Sequence, residues 1–478
     1  MQKLDLIVRN AQVATSGDAF AADIGIRDGR IVMLAEGIEA AASREIDAAG
    51  RTVTPGGIDG HCHIDQPSTD GSVCADDFES ATRSAACGGT TTVIPFALQM
   101  KGMTLRDAVD DYHQRAAGRA LVDYAFHLIV TDPTEQLLGQ DLPALIRDGY
   151  TSFKIYMTYD DMKLGDGQIL DVLSVARREQ ALVMIHAENS EAIAWLTRKL
   201  EESGRTAPRH HATSRPRPVE REATHRAITL SELVDTPILI VHVSGEDAVE
   251  QIRWAQGRGL RVYAETCPQY LFLTEDDLAK QGFEGAKCLC SPPPRDKANQ
   301  QVIWDSLING TFQVFSSDHA PTRYDDPKGK KLHGEGASFQ YVPNGVPGLE
   351  TRLALLYSAG VLEGRISLQE FVALTSTNVA KMYGLYPRKG TIGIGADADL
   401  VIWDEGDVVI ANDRLHHNVD YTPYEGIRVR AWPGVTLSRG EVVWDGTSAQ
   451  GTPGRGEFLP CDKPSPARPS GRQVSDLV

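Results

Sequence analysis

His61-Cys62-His63 sets two imidazoles one residue apart, directly after the stretch TVTPGGIDG. On a strand, residues i and i+2 share a face, so both rings can reach one point, as a shared metal ion requires. Further residues of ligand or proton-transfer type close other short apolar runs: Lys154 in SFKIYM, His186 in VMIHAEN, His242 in LIVHVSG and Asp318 in VFSSDHAP. Alone, His186 or His242 reads as a core histidine. Lys154 does not, because lysine is almost never fully buried without a partner. Burial near cations disfavours the ammonium form, and the neutral amine can react with carbon dioxide. The resulting carbamate has two oxygens and can bridge two cations. The set then divides into one ion held by His61, His63, Asp318 and one carbamate oxygen, and a second held by His186, His242 and the other oxygen. A hydroxide between them completes both shells. Imidazole and carboxylate donors suit Zn2+, with Fe2+, Co2+ and Mn2+ compatible by geometry.

Such a constellation needs a scaffold that brings distant segments to one point. Eight strand-like runs alternate with helical patterns: TVTPGGIDGHCH, TTTVIPFA, VDYAFHLIV, TSFKIYMTY, ALVMIHAEN, PILIVHVSG, RVYAETCPQY and FQVFSSDHAP. Eight βα units read as a (β/α)8 barrel, in which the C-terminal strand ends carry the chemistry. LDLIVRNAQVA and ADIGIRDGRIVMLAEG near the start, and GTIGIGADADLVIWD through GEVVWDG near the end, read as strands that pair into a β-sandwich. The expected α/β architecture has a sandwich from residues 1–54 and 388–450, a barrel over 55–387, and an extended tail over 451–478. That tail is mobile or lies along a neighbouring subunit.

The chain has 478 residues, 65 acidic against 48 basic, for a formal charge of −17. This balance argues against nucleic acid and acidic membranes as partners. No run of about 18 apolar residues and no secretory leader are seen, and seven cysteines without framework spacing fit reduced thiols in a cytoplasm. His127 reads as core, RHHATSRPRP with His210 and His211 as a solvated loop, and Cys62 as turned away from the ligands. His319 is expected either to face the groups behind the ligands or to serve plain packing.

The order H-x-H, Lys, His, His, Asp, with GGTTT after the first strand and GADADLVIWD near the end, resembles the cyclic amidohydrolases of the amidohydrolase superfamily, those of the dihydropyrimidinase and D-hydantoinase type. The resemblance runs to RGEFL in the tail. It implies a distorted (β/α)8 TIM-like barrel with a β-sandwich, a two-zinc centre bridged by carboxylated Lys154, and a homotetramer, with a dimer as alternative. It implies hydrolytic opening of dihydropyrimidines and hydantoins, with a cyclic ureide or imide as substrate. Asp318 matches the base, Tyr159 in KIYMTY the donor to the developing oxyanion, and Ser291 in CSPPPR and Asn344 in NGVPGLE the positions that bind the ring's amide and imide groups.

Other readings rank below this one. A dihydroorotase typically carries an arginine two residues after H-x-H, where this chain has Asp65. Allantoinases share the ligands but usually lack the tyrosine. Deaminases of the superfamily use one metal and no carboxylated lysine. A non-catalytic dihydropyrimidinase-related scaffold would have lost ligand residues, and here each is present. The aromatic loop common after the first ligand pair is replaced by QPSTDGSVCADDF, and Pro294 stands where leucine is frequent. Both departures bear on bulky 5-aryl substituents.

Overall fold

The computed structural model describes residues 3–472 and 474. Two sheets organise it. The first five strands, β1 (Leu4–Ala14), β2 (Ala19–Arg27), β3 (Arg30–Ala35), β4 (Ala42–Asp47) and β5 (Thr52–Pro55), join three from the far end of the chain. These are β15 (Leu400–Val409), β16 (Arg428–Ser438) and β17 (Glu441–Trp444), giving the order β17-β16-β15-β5-β1-β2-β3. One edge of β1 forks, pairing in parallel with β4 over Leu4–Arg9 and with β5 at Gln12 and Val13. Val8, Val13, Ile24, Ile26, Leu400 and Ile402 form its buried core.

The second sheet is parallel. Its strands are β6 (Gly57–Cys62), β7 (Thr90–Leu98), β8 (Asp123–Tyr124), β9 (His127–Ile129), β10 (Ser152–Tyr156), β11 (Leu182–His186), β12 (Ile238–Ile240), β13 (Val262–Thr266) and β14 (Val314–Phe315). Eight run in the order β14-β13-β12-β11-β10-β9-β7-β6, and β8 pairs beside β7. The circle closes just past β14, where the His63 N–H donates to the His319 carbonyl at 2.7 Å and Cys62 bridges His319. Strands buried on both faces read as continuous apolar runs, and β10 and β11 have every residue buried. Helix starts are fixed by side-chain caps. Asp77 caps Phe78–Cys87, and Asn189 caps Ser190–Glu202 three residues after His186.

Three sequence expectations need correction. TVTPGGIDGHCH is not one strand: β5 belongs to the first sheet and β6 to the barrel. The break falls at Gly56, where a Cβ would stand 2.1 Å from Thr91 Oγ1. VDYAFHLIV likewise splits into β8 and β9. The tail is not free over its described residues, but bonded along its own chain. Gly454 and Gly456 donate to the Ala120 carbonyl, Tyr124 donates to Glu457 and Leu459 to Tyr124, covering the open edge of β8. Phe458 fills a ring cluster of His113, Tyr124, Phe126 and Tyr150. A single strand added to a sheet edge carries no repeating pattern, so the sequence shows none.

Under the barrel mouth lies a buried ion pair. Asp59 accepts the backbone N–H groups of His61 and Ser317, each at 3.2 Å, and its second oxygen faces Arg352 Nε at 3.5 Å. Arg352 also donates to the Phe315 carbonyl and to Thr90 Oγ1. Both side chains are fully buried. Removing one partner of such a pair leaves an uncompensated charge, so Asp59→Ala is expected to cost about 3–5 kcal/mol. Denaturant titration of the variant against the parent protein measures it.

Candidate metal centre and active site

Six of the nine residues singled out by sequence lie at or just beyond the C-terminal ends of barrel strands, His61 and His63 from β6, Tyr159 after β10, His186 from β11, His242 after β12 and Asp318 after β14, and a seventh, Lys154, stands in the middle of β10. Ser291 and Asn344 come from two later loops. All nine form one connected group. His61 Nε2 and His63 Nε2 face Asp318 Oδ1 at 3.2 and 3.4 Å. Lys154 Nζ lies 2.8 Å from His61 Nε2, and His242 Nε2 lies 2.9 Å from His186 Nδ1. The Tyr159 ring packs edge-on to His186 and its phenol contacts Ser291, whose hydroxyl donates to Asn344 Oδ1 at 2.9 Å.

Each outward-facing imidazole nitrogen except that of His242 has a partner. His61 Nδ1–H donates to Glu265 at 2.6 Å, His63 Nδ1–H to Gln66 at 2.7 Å, and His186 Nε2–H to Glu188 at 2.8 Å. These bonds fix tautomers that aim lone pairs inward, the usual arrangement behind metal-bound histidine. Because His186 Nε2 carries its proton, Nδ1 is an acceptor facing another ring nitrogen. His242 Nδ1 is buried without a partner. Burial, reinforced by neighbouring positive groups, pushes His61 and His242 well below the usual histidine range, leaving neutral donors. Burial would raise the Asp318 carboxyl, but His61, His63 and His242 override it and hold it far below the carboxylate range.

Lys154 is 1% exposed, with the faces of Phe96 and Tyr156 within 4.6 and 5.0 Å of its nitrogen and no carboxylate in contact among the described residues. Desolvation brings its amine down to about 8. A donor-rich, charge-poor pocket of this kind fits cations held through a carbamate. His61, His63 and Asp318 present ligand atoms mutually within 4.8 Å. Cys87, Glu350 and His416 form another such group, but Glu350 is already engaged by Ser84 and by both the ring and backbone N–H groups of His416.

His242, Asp318 and Tyr159 hold left-handed φ angles of 40°, 48° and 67°. Such strain, about 1–3 kcal/mol per residue, persists only where surroundings enforce it and clusters at functional sites.

Further residues surround the site, and one stretch departs from its sequence reading. RHHATSRPRP is no solvated loop: His211 is 2% exposed and donates to the Cys290 carbonyl at 2.9 Å, with Ser291 Oγ at 3.1 Å. Arg215, from the same stretch, pairs with Glu188 at 2.8 Å and sits 5.6 Å over the Tyr159 ring. Glu188 thus ties the support of His186 to the cation over Tyr159. Glu188 follows β11 by two residues and Glu265 lies near the end of β13, and the sequence reading singled out neither. His127 is buried, bonded to Ser152 and the Gly60 carbonyl. His319 pairs with Asp76 at 3.1 Å. Asp65 turns to Arg115 at 2.8 Å, a structural pair.

Comparison with known proteins shows the family. The Amidohydrolase family model matches residues 52–443. The chain belongs to the amidohydrolase family. Among curated family members, it is 45% identical to a D-hydantoinase of Ralstonia pickettii, over 95% of this chain and 98% of that protein. It is also 45% identical to a D-hydantoinase of Geobacillus stearothermophilus, covering 95% and 96%. Among solved structures, a dihydropyrimidinase from Brevibacillus agri superposes with a TM-score of 0.93 at 40% identity, covering 96% of this chain and 99% of that one. This amidohydrolase therefore shares its whole fold, barrel and sandwich together, with structures of that kind.

Proposed function

We propose that this chain hydrolyses cyclic amides and imides, opening 5,6-dihydropyrimidines to N-carbamoyl-β-amino acids and hydantoins to N-carbamoyl amino acids. The observation that carries it is Lys154, fully buried with no carboxylate partner among the described residues, against His61 and in one group with His63, His186, His242 and Asp318. The same reading assigns His61, His63, Asp318 and carboxylated Lys154 to one divalent cation, and Lys154, His186 and His242 to the other, with Zn2+ favoured by the donor set. When bound, the metal pair acidifies water and polarises the scissile carbonyl.

Asp318 takes the proton of the attacking water and delivers it to the ring nitrogen as the C–N bond breaks, so water adds across that bond. Ser291 and Asn344 orient the amide and imide groups of the ring. Tyr159 donates to the oxygen that gains charge. Burial pushes its phenol up to about 12, so it remains a donor at neutral pH. Tyr159→Phe is expected to lower kcat about 100-fold, equal to ~3 kcal/mol, with metal content unchanged. Steady-state kinetics paired with metal analysis checks this.

The deciding experiment is a panel of dihydrouracil, hydantoin, 5-substituted hydantoins, allantoin, dihydroorotate and phthalimide, followed by ultraviolet absorbance. Turnover of dihydrouracil and hydantoins is expected; turnover of allantoin alone would move the assignment to allantoinase. The resemblance supports a homotetramer, with light scattering as its check. Among the described residues no helix is long and apolar enough to cross a membrane. All seven cysteines are free thiols, which supports placement in a cytoplasm.

A further inference from the structure

Lys330 is 1% exposed, lies in the long connection between Asp318 and Asn344, and forms no ion pair with a carboxylate among the described residues. Its ammonium instead donates to three backbone carbonyls: Pro343 at 2.6 Å, Gly345 at 2.6 Å and Leu289 at 3.3 Å. Pro343 and Gly345 flank Asn344. Leu289 stands two residues before Ser291. The same loops are stitched by Gly345 N–H to the Leu289 carbonyl at 3.0 Å and by Ser291 to Asn344. The approach of the lysine is itself fixed. Its backbone N–H donates to Arg323 at 2.8 Å, and Gly329 packs so closely that a Cβ there would lie 1.9 Å from the Arg323 carbonyl.

Burying a charge without a counter-ion is costly, and burial brings this amine down to about 7. The Cys288 and Cys290 thiols that face it are pushed up by burial and stay neutral. A neutral side chain would fill the space at lower cost, but it would not offer three divergent donors to carbonyls of two separate loops.

We propose that Lys330 is a positioning residue: it clamps the peptides on both sides of Asn344 to the loop of Ser291 and so presets the surface that receives the substrate ring. This rests on the function proposed above. Because the clamp acts on ring binding and touches none of the metal-centre residues, its loss falls on KM rather than on kcat or metal content.

Lys330→Met keeps the stem and removes the donors. With dihydrouracil and hydantoin, its KM is expected to rise about tenfold, with kcat within about twofold and metal content unchanged. Lys330→Gln, which retains two donors but brings an oxygen among the carbonyls, is expected to fall between Met and the parent, a rise of about threefold. An unchanged KM in a folded Met variant, or a loss of kcat and metal with KM unmoved, overturns the proposal. If the Met variant does not fold, the Gln variant decides by the same criteria; if neither folds, Lys330 is a stability residue only and the proposal fails. A parent enzyme inert toward every cyclic ureide refutes the function itself, a result distinct from any of these.

Discussion

Lys154→Ala is expected to lower turnover of dihydrouracil and hydantoin by at least about 10⁴-fold, a barrier increase of roughly 5.5 kcal/mol, and to reduce bound metal from two ions per chain to one or none. The reason is geometric as well as chemical. Among the described residues no carboxylate pairs with the Lys154 nitrogen, and the neighbouring Asp318 is already engaged with His61 and His63. If the lysine were only a packing element between Phe96 and Tyr156, Lys154→Met would preserve its stem and most of the activity; near-parental activity in that variant would sink the bridging role. The proposed carboxylation of Lys154 also has a pH signature. Only the free amine captures carbon dioxide, and the amine is brought down to about 8. Reactivation of metal-free protein by zinc and bicarbonate should therefore quicken as pH rises from about 7 to 9 and level off above it. Metal analysis and activity recovery, run side by side, read both effects.

The second large effect is expected from Asp318→Asn: kcat down by about 10³–10⁴-fold, in the upper part of the range usual for a general acid–base group. Asparagine keeps the shape and one oxygen near His61 and His63, so at least one metal ion per chain should remain. Retained metal with lost turnover separates proton transfer from simple ligation. In the parent protein the surrounding imidazoles hold this carboxyl far below the carboxylate range. The kcat/KM profile should consequently lack an acid limb near the ordinary carboxylate pKa of about 4. Full activity in the Asn variant would assign the base elsewhere.

Much of this site was legible because its residue types are improbable where they stand. Histidines at strand ends and a lysine inside SFKIYM have few bland explanations, and period-two alternation told which side chains share a face. The supports were harder to read. Glu188, Glu265 and Gln66 hold the imidazoles, yet a single carboxylate or amide near a strand end has no spacing that marks it. His211 and Arg215 were misjudged for a different reason. Their stretch is polar and rich in proline, which usually signals a solvated loop, and only tertiary packing shows that it is folded inward onto Ser291 and Glu188. Gly56 shows the limit for boundaries: one apolar run served two sheets, and the close approach of Thr91 that forces the break is a long-range contact.

The pairing of β5 with β15 has a consequence for biosynthesis. Val53 and Thr54 find their antiparallel neighbours Ile402 and Val401 only after roughly 345 further residues have been made, a wait of about 20–70 s at ~5–20 residues per second. Until then the nascent amino-terminal sheet presents a naked edge to every other polypeptide emerging nearby. Yield of this protein should thus depend on holdase chaperones more steeply than that of a barrel whose strands are translated in spatial order.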